Sequence, residues 1–225
     1  VYNAQANLPA AAVMGAATTA LSAGVTDVFD LISTVTVVLQ GEGELASASQ
    51  LAVLNGANAA LLGDEIIQFT TAMLISPGKY TLSGLLRGRQ GTEWAVGGHA
   101  AGERFVLLNA LVPALAVSPR LLGLPRIYKP VTVGGSLGGT AEQNFTYNGV
   151  ALKPYAPVQL AGVRDGSGNL TISWVRRARA TGEWLNGVDV PLNEASEAYE
   201  VEIINGANVT RTITGLTTPS ATYSA

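Results

Sequence analysis

The segment from Glu65 to Leu86 reads EIIQFTTAMLISPGKYTLSGLL and leaves the chain little local choice. Pro77-Gly78 are the residues that fill the two central positions of a type II turn, because proline presets the first backbone angle and glycine tolerates the positive second one. On either side, Ile67, Phe69, Met73 and Ile75 fall on one face, as do Tyr80, Leu82 and Leu86 on the return. That alternation predicts a half-buried antiparallel pair. Further short strands are expected at Val35 to Leu39, closed by Gly41 and Gly43, at Arg104 to Leu108, and at Ile127 to Val133. Residues 1–153 are therefore expected to form a small β-rich domain of hairpin or barrel type. Its Ala-rich N-terminal arm, Ala4 to Gly24, is interrupted by Pro9 and Gly15. It is too weakly apolar to span a bilayer and reads as a packed extended segment or a poorly ordered arm.

What the chain lacks narrows its chemistry. There is no cysteine and one histidine, His99, which excludes disulfides, thiolate metal sites and any centre built on two histidines. His99 and Glu103 make one pair of metal-type donors where zinc needs three or four, so no metal and no cofactor is expected, and His99 reads as a turn residue. Thirteen Lys+Arg against sixteen Asp+Glu give a net charge of −3, so no chain-wide basic field exists to hold nucleic acid. Gly134 to Gly139 (GGSLGG) fits neither GxxxxGK[ST] nor GxGxxG and reads as a loop.

Pro154 and Pro157, around Tyr155, mark a boundary near Lys153. Beyond it, residues 154–225 change character. Asn169 to Arg176 places Leu170, Ile172 and Trp174 on one face after a DGSGN turn, and Tyr199 to Ile203 places Tyr199, Val201 and Ile203 inward with Glu200 and Glu202 outward. NGAN at Asn205 to Asn208 then leads into Val209 to Thr214. The six inward residues are expected to form one core. The fold class expected for the whole chain is all-β: the small domain followed by a partial sandwich that resembles the opening half of a fibronectin type III module.

Two blocks carry a wider resemblance: Leu85 to Glu93, LLRGRQGTE, and Ser173 to Arg179, SWVRRAR. Asn55 to Asn58, Gln68 to Ala72, His99 to Glu103 and Val190 to Glu194 accompany them. In these the chain resembles the C-terminal region of the tail hub and host-specificity proteins of gene transfer agents and siphophages, a glycoside hydrolase/phage tail family. The resemblance implies a piece of a longer virion structural protein at the tail tip or baseplate hub. It further implies a homotrimer in the full-length hub, other tail proteins as partners, and a host surface glycan or receptor as target. The barrel that gives such families their hydrolase label needs about 250 residues for its eight βα units and does not fit here. An alternative of another class is a carbohydrate-binding accessory region of a secreted glycan-degrading enzyme.

Several residues are candidates for a site. Arg87 and Arg89 could grip an anion, or pair with carboxylates such as Glu93 around a bend at Gly88 and Gly91. Arg176, Arg177 and Arg179 could do the same, or pair with Glu194, Glu197, Glu200 or Glu202 across the sheet. Glu183 with Asp189, and Glu194 with Glu197, are the only carboxylate pairs suggested by spacing, and nothing else supports a glycosidase, so no enzyme activity and no catalytic residue is expected. The loop from Ala180 to Asn193 combines Trp184, Asn186 and Asp189 with Arg179 at its base. An aromatic on a loop can stack on sugar beside polar groups that hold hydroxyls, which makes these four the expected ligand or receptor contacts.

Overall fold

The computed structural model describes residues 5–179, 182, 184–185 and 190–224. The first sheet closes on itself. Its strands are β1 (Met14–Ala17), β2 (Val35–Gln40), β3 (Ala59–Leu62), β4 (Glu65–Ser76), β5 (Lys79–Leu86) and β6 (Arg104–Leu107), in the barrel order β1-β2-β5-β4-β3-β6. Every pairing is antiparallel. A short helix α1 (Gln50–Leu54) precedes β3, its first turn capped by the Ser49 hydroxyl, which accepts from the Ala52 N–H. Within the Ala-rich N-terminal stretch, Met14–Ala17 takes the packed extended form and enters the barrel as β1 between β2 and β6, whereas residues 5–11 are exposed.

Ile67, Phe69, Tyr80, Leu82, Leu85, Val35, Val37, Leu62 and Phe105 fill the barrel. The hairpin forms as expected, but the simple alternation does not run its whole length. Met73 and Ile75 are 54% and 50% exposed, and Ala72 packs on the core in their place. On β5 the inward set is Tyr80, Leu82 and then Leu85, while Leu86, also buried, lies outside that cluster. The cause is Gly84. Its φ of +61° breaks the extended backbone, and a Cβ there would stand 2.0 Å from the Thr70 Oγ1 on β4. Beyond this crossing the inward and outward positions of both strands exchange, and the hairpin tip carries Met73, Leu74 and Ile75 into solvent.

After the barrel, β7 (Pro125–Tyr128) pairs with β8 (Gln143–Thr146). The strand expected over Ile127 to Val133 is thus shifted and shorter. Pro130 lacks the amide hydrogen a continuing ladder needs, and Val131 and Val133 are exposed. Next come β9 (Val158–Arg164), β10 (Leu170–Val175), β11 (Tyr199–Asn205), β12 (Asn208–Leu216) and β13 (Ser220–Tyr223). They form a three-stranded sheet, β13-β10-β9, and a β11-β12 hairpin. Ile172, Trp174 and Ala221 form their core, with Leu170, Tyr199, Val201 and Ile203 packed on it. All six residues expected to meet do so, and the Trp174 and Tyr199 rings meet edge to face at 5.0 Å. The all-β class expected from the sequence is the class observed.

Candidate functional site

A row of charged side chains runs across one end of the barrel, where β4 begins and β5 finishes. Glu65 opens β4 and Arg87 follows β5, so the hairpin brings them together. Arg87 Nε and Nη2 each donate to a Glu65 oxygen at 2.8 Å, and neither side chain has any exposed surface. Arg87 Nη1 donates to the Ser22 carbonyl at 2.9 Å and lies 3.9 Å from Asp30 Oδ2. The Gly88 N–H donates to Glu65 Oε1 at 2.7 Å. On the other side, His99 Nε2 is 2.7 Å from Glu65 Oε2 and His99 Nδ1 is 2.6 Å from Glu103 Oε2. A neutral imidazole has one N–H, so both carboxylates receive a hydrogen bond only when the ring carries two protons.

Burial acts to raise the carboxyl pKa values of Asp30 and Glu103, and hydrogen bonds outweigh it at both. For Asp30 these come from Ser33 and the Ile32 N–H, helped by the charge of Arg87. For Glu103 they come from His99 and the Ala100 N–H. Each carboxyl sits below its ordinary value. The His99 ring is held on both sides, by Glu65 and by Glu103. What the row does is tie the N-terminal segment, β4, the end of β5 and the 99–103 turn into one unit. Among the described residues, no group of three His, Asp or Glu side chains is arranged to hold a metal ion.

A second polar set adjoins it. Arg89, 1% exposed, donates from Nε to Gln68 Oε1 at 2.7 Å. Gln68 Nε2 in turn donates to the carbonyls of Val53 and Ala57, which fastens α1 to β4. Arg89 Nη2 donates to the Trp184 carbonyl, and its guanidinium carbon lies 5.8 Å from the Trp184 ring centre. Burial, then the nearby Arg177 charge, pulls the Arg89 pKa down to about 10 against the opposing pull of Glu93 and Tyr155. Arg177 itself reaches from the C-terminal sheets to Glu93 on the barrel, with its guanidinium carbon 4.9 Å from the Tyr155 ring centre. Gly91, at φ +82°, lets Tyr155 close in: a Cβ there would be 3.0 Å from two of its ring carbons. The LLRGRQGTE and SWVRRAR blocks, distant in sequence, are thus joined through Glu93 and Arg177.

Trp184 is half-buried, and its indole lies 3.3 Å from where a Gly56 Cβ would stand, so it lies against the barrel. Arg179 forms a fork onto Glu194, at 2.6 and 3.1 Å, and that hydrogen bond pushes its pKa up. Asn186 and Asp189, like Glu183, lie outside the described residues. Arg176 pairs with Glu197 at 3.0 Å, one of the expected partners, but between the ends of strands in two different sheets rather than across one sheet, whereas Arg177 takes Glu93 on the barrel side. Glu194 and Glu197 are both engaged by arginine.

Sequence reasoning passed over Asp30, Glu65 and Gln68. The available signal was the hairpin itself: counting back from Pro77-Gly78 sets Glu65 and Gln68 beside Arg87 and Arg89 at its open end. It also passed over Trp94, the residue after LLRGRQGTE, which stands 66% exposed on a short 3-10 turn (Glu93–Ala95). Beside it lies a cleft of about 360 Å³ lined by Gly91, Glu93, Val150, Lys153, Pro154 and Tyr155.

The model of one protein family, described as Rcc01698-like, C-terminal, matches residues 12–106. The match is to the barrel. Its limits fall close to the start of β1 and the end of β6, and it takes in Glu65, Gln68, Arg87, Arg89, His99 and Glu103 while covering less than half of the chain. No curated protein matches the chain.

Proposed function

We propose that this chain is a structural component of the tail tip or baseplate hub of a phage or gene transfer agent and takes part in host attachment. The observation that carries this reading is the family match over the barrel, to a family named for a gene transfer agent-associated protein. The LLRGRQGTE and GGHAAGE stretches lie within the matched range. Their charged residues are engaged in holding the barrel's end together, which suits a load-transmitting part better than a catalytic one. The hairpin tip adds a surface for assembly: Met73, Leu74 and Ile75 are at least half exposed, and Lys79 is the only charged residue between Ile66 and Leu86. Such a patch suits contact with neighbouring tail proteins or with copies of the same chain in a trimeric hub. Gold-labelled antibody against residues 12–106, viewed by electron microscopy on intact particles, should decorate tail tips. Labelling of heads or tail shafts, or of no particle at all, would remove the reading.

A further inference from the structure

We infer that the cleft beside Trp94 is a binding site for an acidic sugar unit of a polysaccharide. Trp184, the aromatic that the sequence put forward for this role, is packed on Gly56 and Arg89. Trp94 keeps its indole in solvent on a turn whose base is fixed. Gly88 is held by Glu65, and Thr92 Oγ1 donates to the Arg89 carbonyl at 2.8 Å and accepts from the Ile66 N–H at 2.9 Å. A flat ring on a rigid support suits stacking against the C–H face of a pyranose, since an aromatic that is already ordered loses little freedom on binding. A volume of about 360 Å³ is at the small end of ligand clefts, matching one or two sugar rings rather than a protein helix.

The charge around the cleft decides the class of sugar. Lys153 lines it and has no ion-pair partner among the described residues, and Arg177 and Arg89 lie behind Tyr155 and Gly91. Among the described residues, one carboxylate, Glu93, lines the cleft against these three cations, and it is already engaged by Arg177. The local excess is positive in a chain of net charge −3. A uronate carboxylate beside Lys153, with its ring on Trp94, compensates that excess. A neutral sugar does not.

This site gives the attachment part of the proposed function a location, and it is tested without reference to tails. The whole chain is titrated by calorimetry and by tryptophan fluorescence with a tri-galacturonide, and in parallel with its uncharged methyl ester. Saturable binding of the acid is expected, at least ten-fold tighter than of the ester and weakened by added salt. Trp94→Ala should lower affinity at least ten-fold with an unchanged melting temperature. Lys153→Gln should reduce binding of the acid several-fold and leave the ester unaffected. No saturable binding, equal binding of acid and ester, or full affinity in Trp94→Ala would each overturn the inference. So would sedimentation showing that Trp94 instead mediates self-association. Tail-tip labelling together with failed binding would leave the proposed function standing and remove only this site.

Discussion

In the barrel, Arg87 and Glu65 form their ion pair with no exposed surface at all, while in the C-terminal sheets Arg179 and Glu194 form an equally good fork with 28% and 39% of their side chains in solvent. The residue types are the same, but the surroundings differ. A closed sheet shields what lies at its end from water, so each charge there needs a fixed partner. The open three-stranded sheet and its neighbouring hairpin leave water to do that work. The difference teaches that the buried pair at the barrel's end is a condition of folding, while the exposed Arg179–Glu194 fork is a convenience of the surface.

The largest expected effect comes from breaking the buried pair. Glu65→Ala strands Arg87, removes the acceptor of the Gly88 N–H and takes one partner from His99, so stability should fall by about 3–5 kcal/mol, as for other buried pairs broken from one side. Glu194→Ala, which breaks the exposed fork, should leave the urea midpoint where it was. If both substitutions move the midpoint alike, the distinction between the regions is lost.

Trp174→Ala tests the other side of the comparison. Trp174 is 7% exposed, but its core is small, with Ile172 and Ala221 as the other buried members. The loss should be at the low end for a buried tryptophan, about 3 kcal/mol. Hydrogen exchange should show β9 to β13 losing protection while β1 to β6 keep theirs. Equal loss of protection in the barrel would mean that the Arg177–Glu93 and Arg89–Trp184 contacts weld the two regions into one cooperative unit.

How much of this the sequence discloses depends on which rule each region obeys. The C-terminal core was legible because Leu170, Ile172, Trp174 and Tyr199, Val201, Ile203 follow plain two-residue alternation, and the register shifts between Ser173 and Val175 and between Tyr199 and Val201 leave all six on the core. The barrel's strands were mostly legible, but two of its features were not. β1 reads MGAA, with no β-branched residue. It is a strand because Gly15 lets it lie against β2, where a Cβ would stand 2.0 Å from the Val38 carbonyl oxygen. The exchange of faces at Gly84 likewise depends on a backbone angle that alternation counting ignores. The polar site was hidden for a third reason. Arg87 and Glu65 belong to residue types whose default place is the surface, and only closure of the barrel puts them inside, with His99 beside them. Trp184 packs down where an open contact was expected because a loop's partner is set by tertiary contact: Gly56 and Arg89 receive it.

The smallest effect is one of pH, and it bears on the same contrast. Asp30 and Glu103 belong to the buried row, and hydrogen bonds that outweigh burial hold both carboxyls below their ordinary values. A group whose pKa is lowered by folding contributes its full stabilisation above its unfolded value, about 4 for these carboxyls, and loses it as the pH falls through the folded value. The barrel should therefore show no loss from these groups between neutrality and about pH 5, and a progressive loss below about pH 4. Glu103→Gln isolates one contribution, since the amide still accepts from the Ala100 N–H but no longer titrates. Urea midpoints of the native chain and this variant should differ by a constant amount above about pH 5 and converge as acid protonates Glu103 in the native chain. A gap that stays constant down to about pH 2.5, well below the ordinary carboxyl range, would mean that the His99–Glu103 contact contributes through shape alone and that the charge row does not stabilise the barrel at that end.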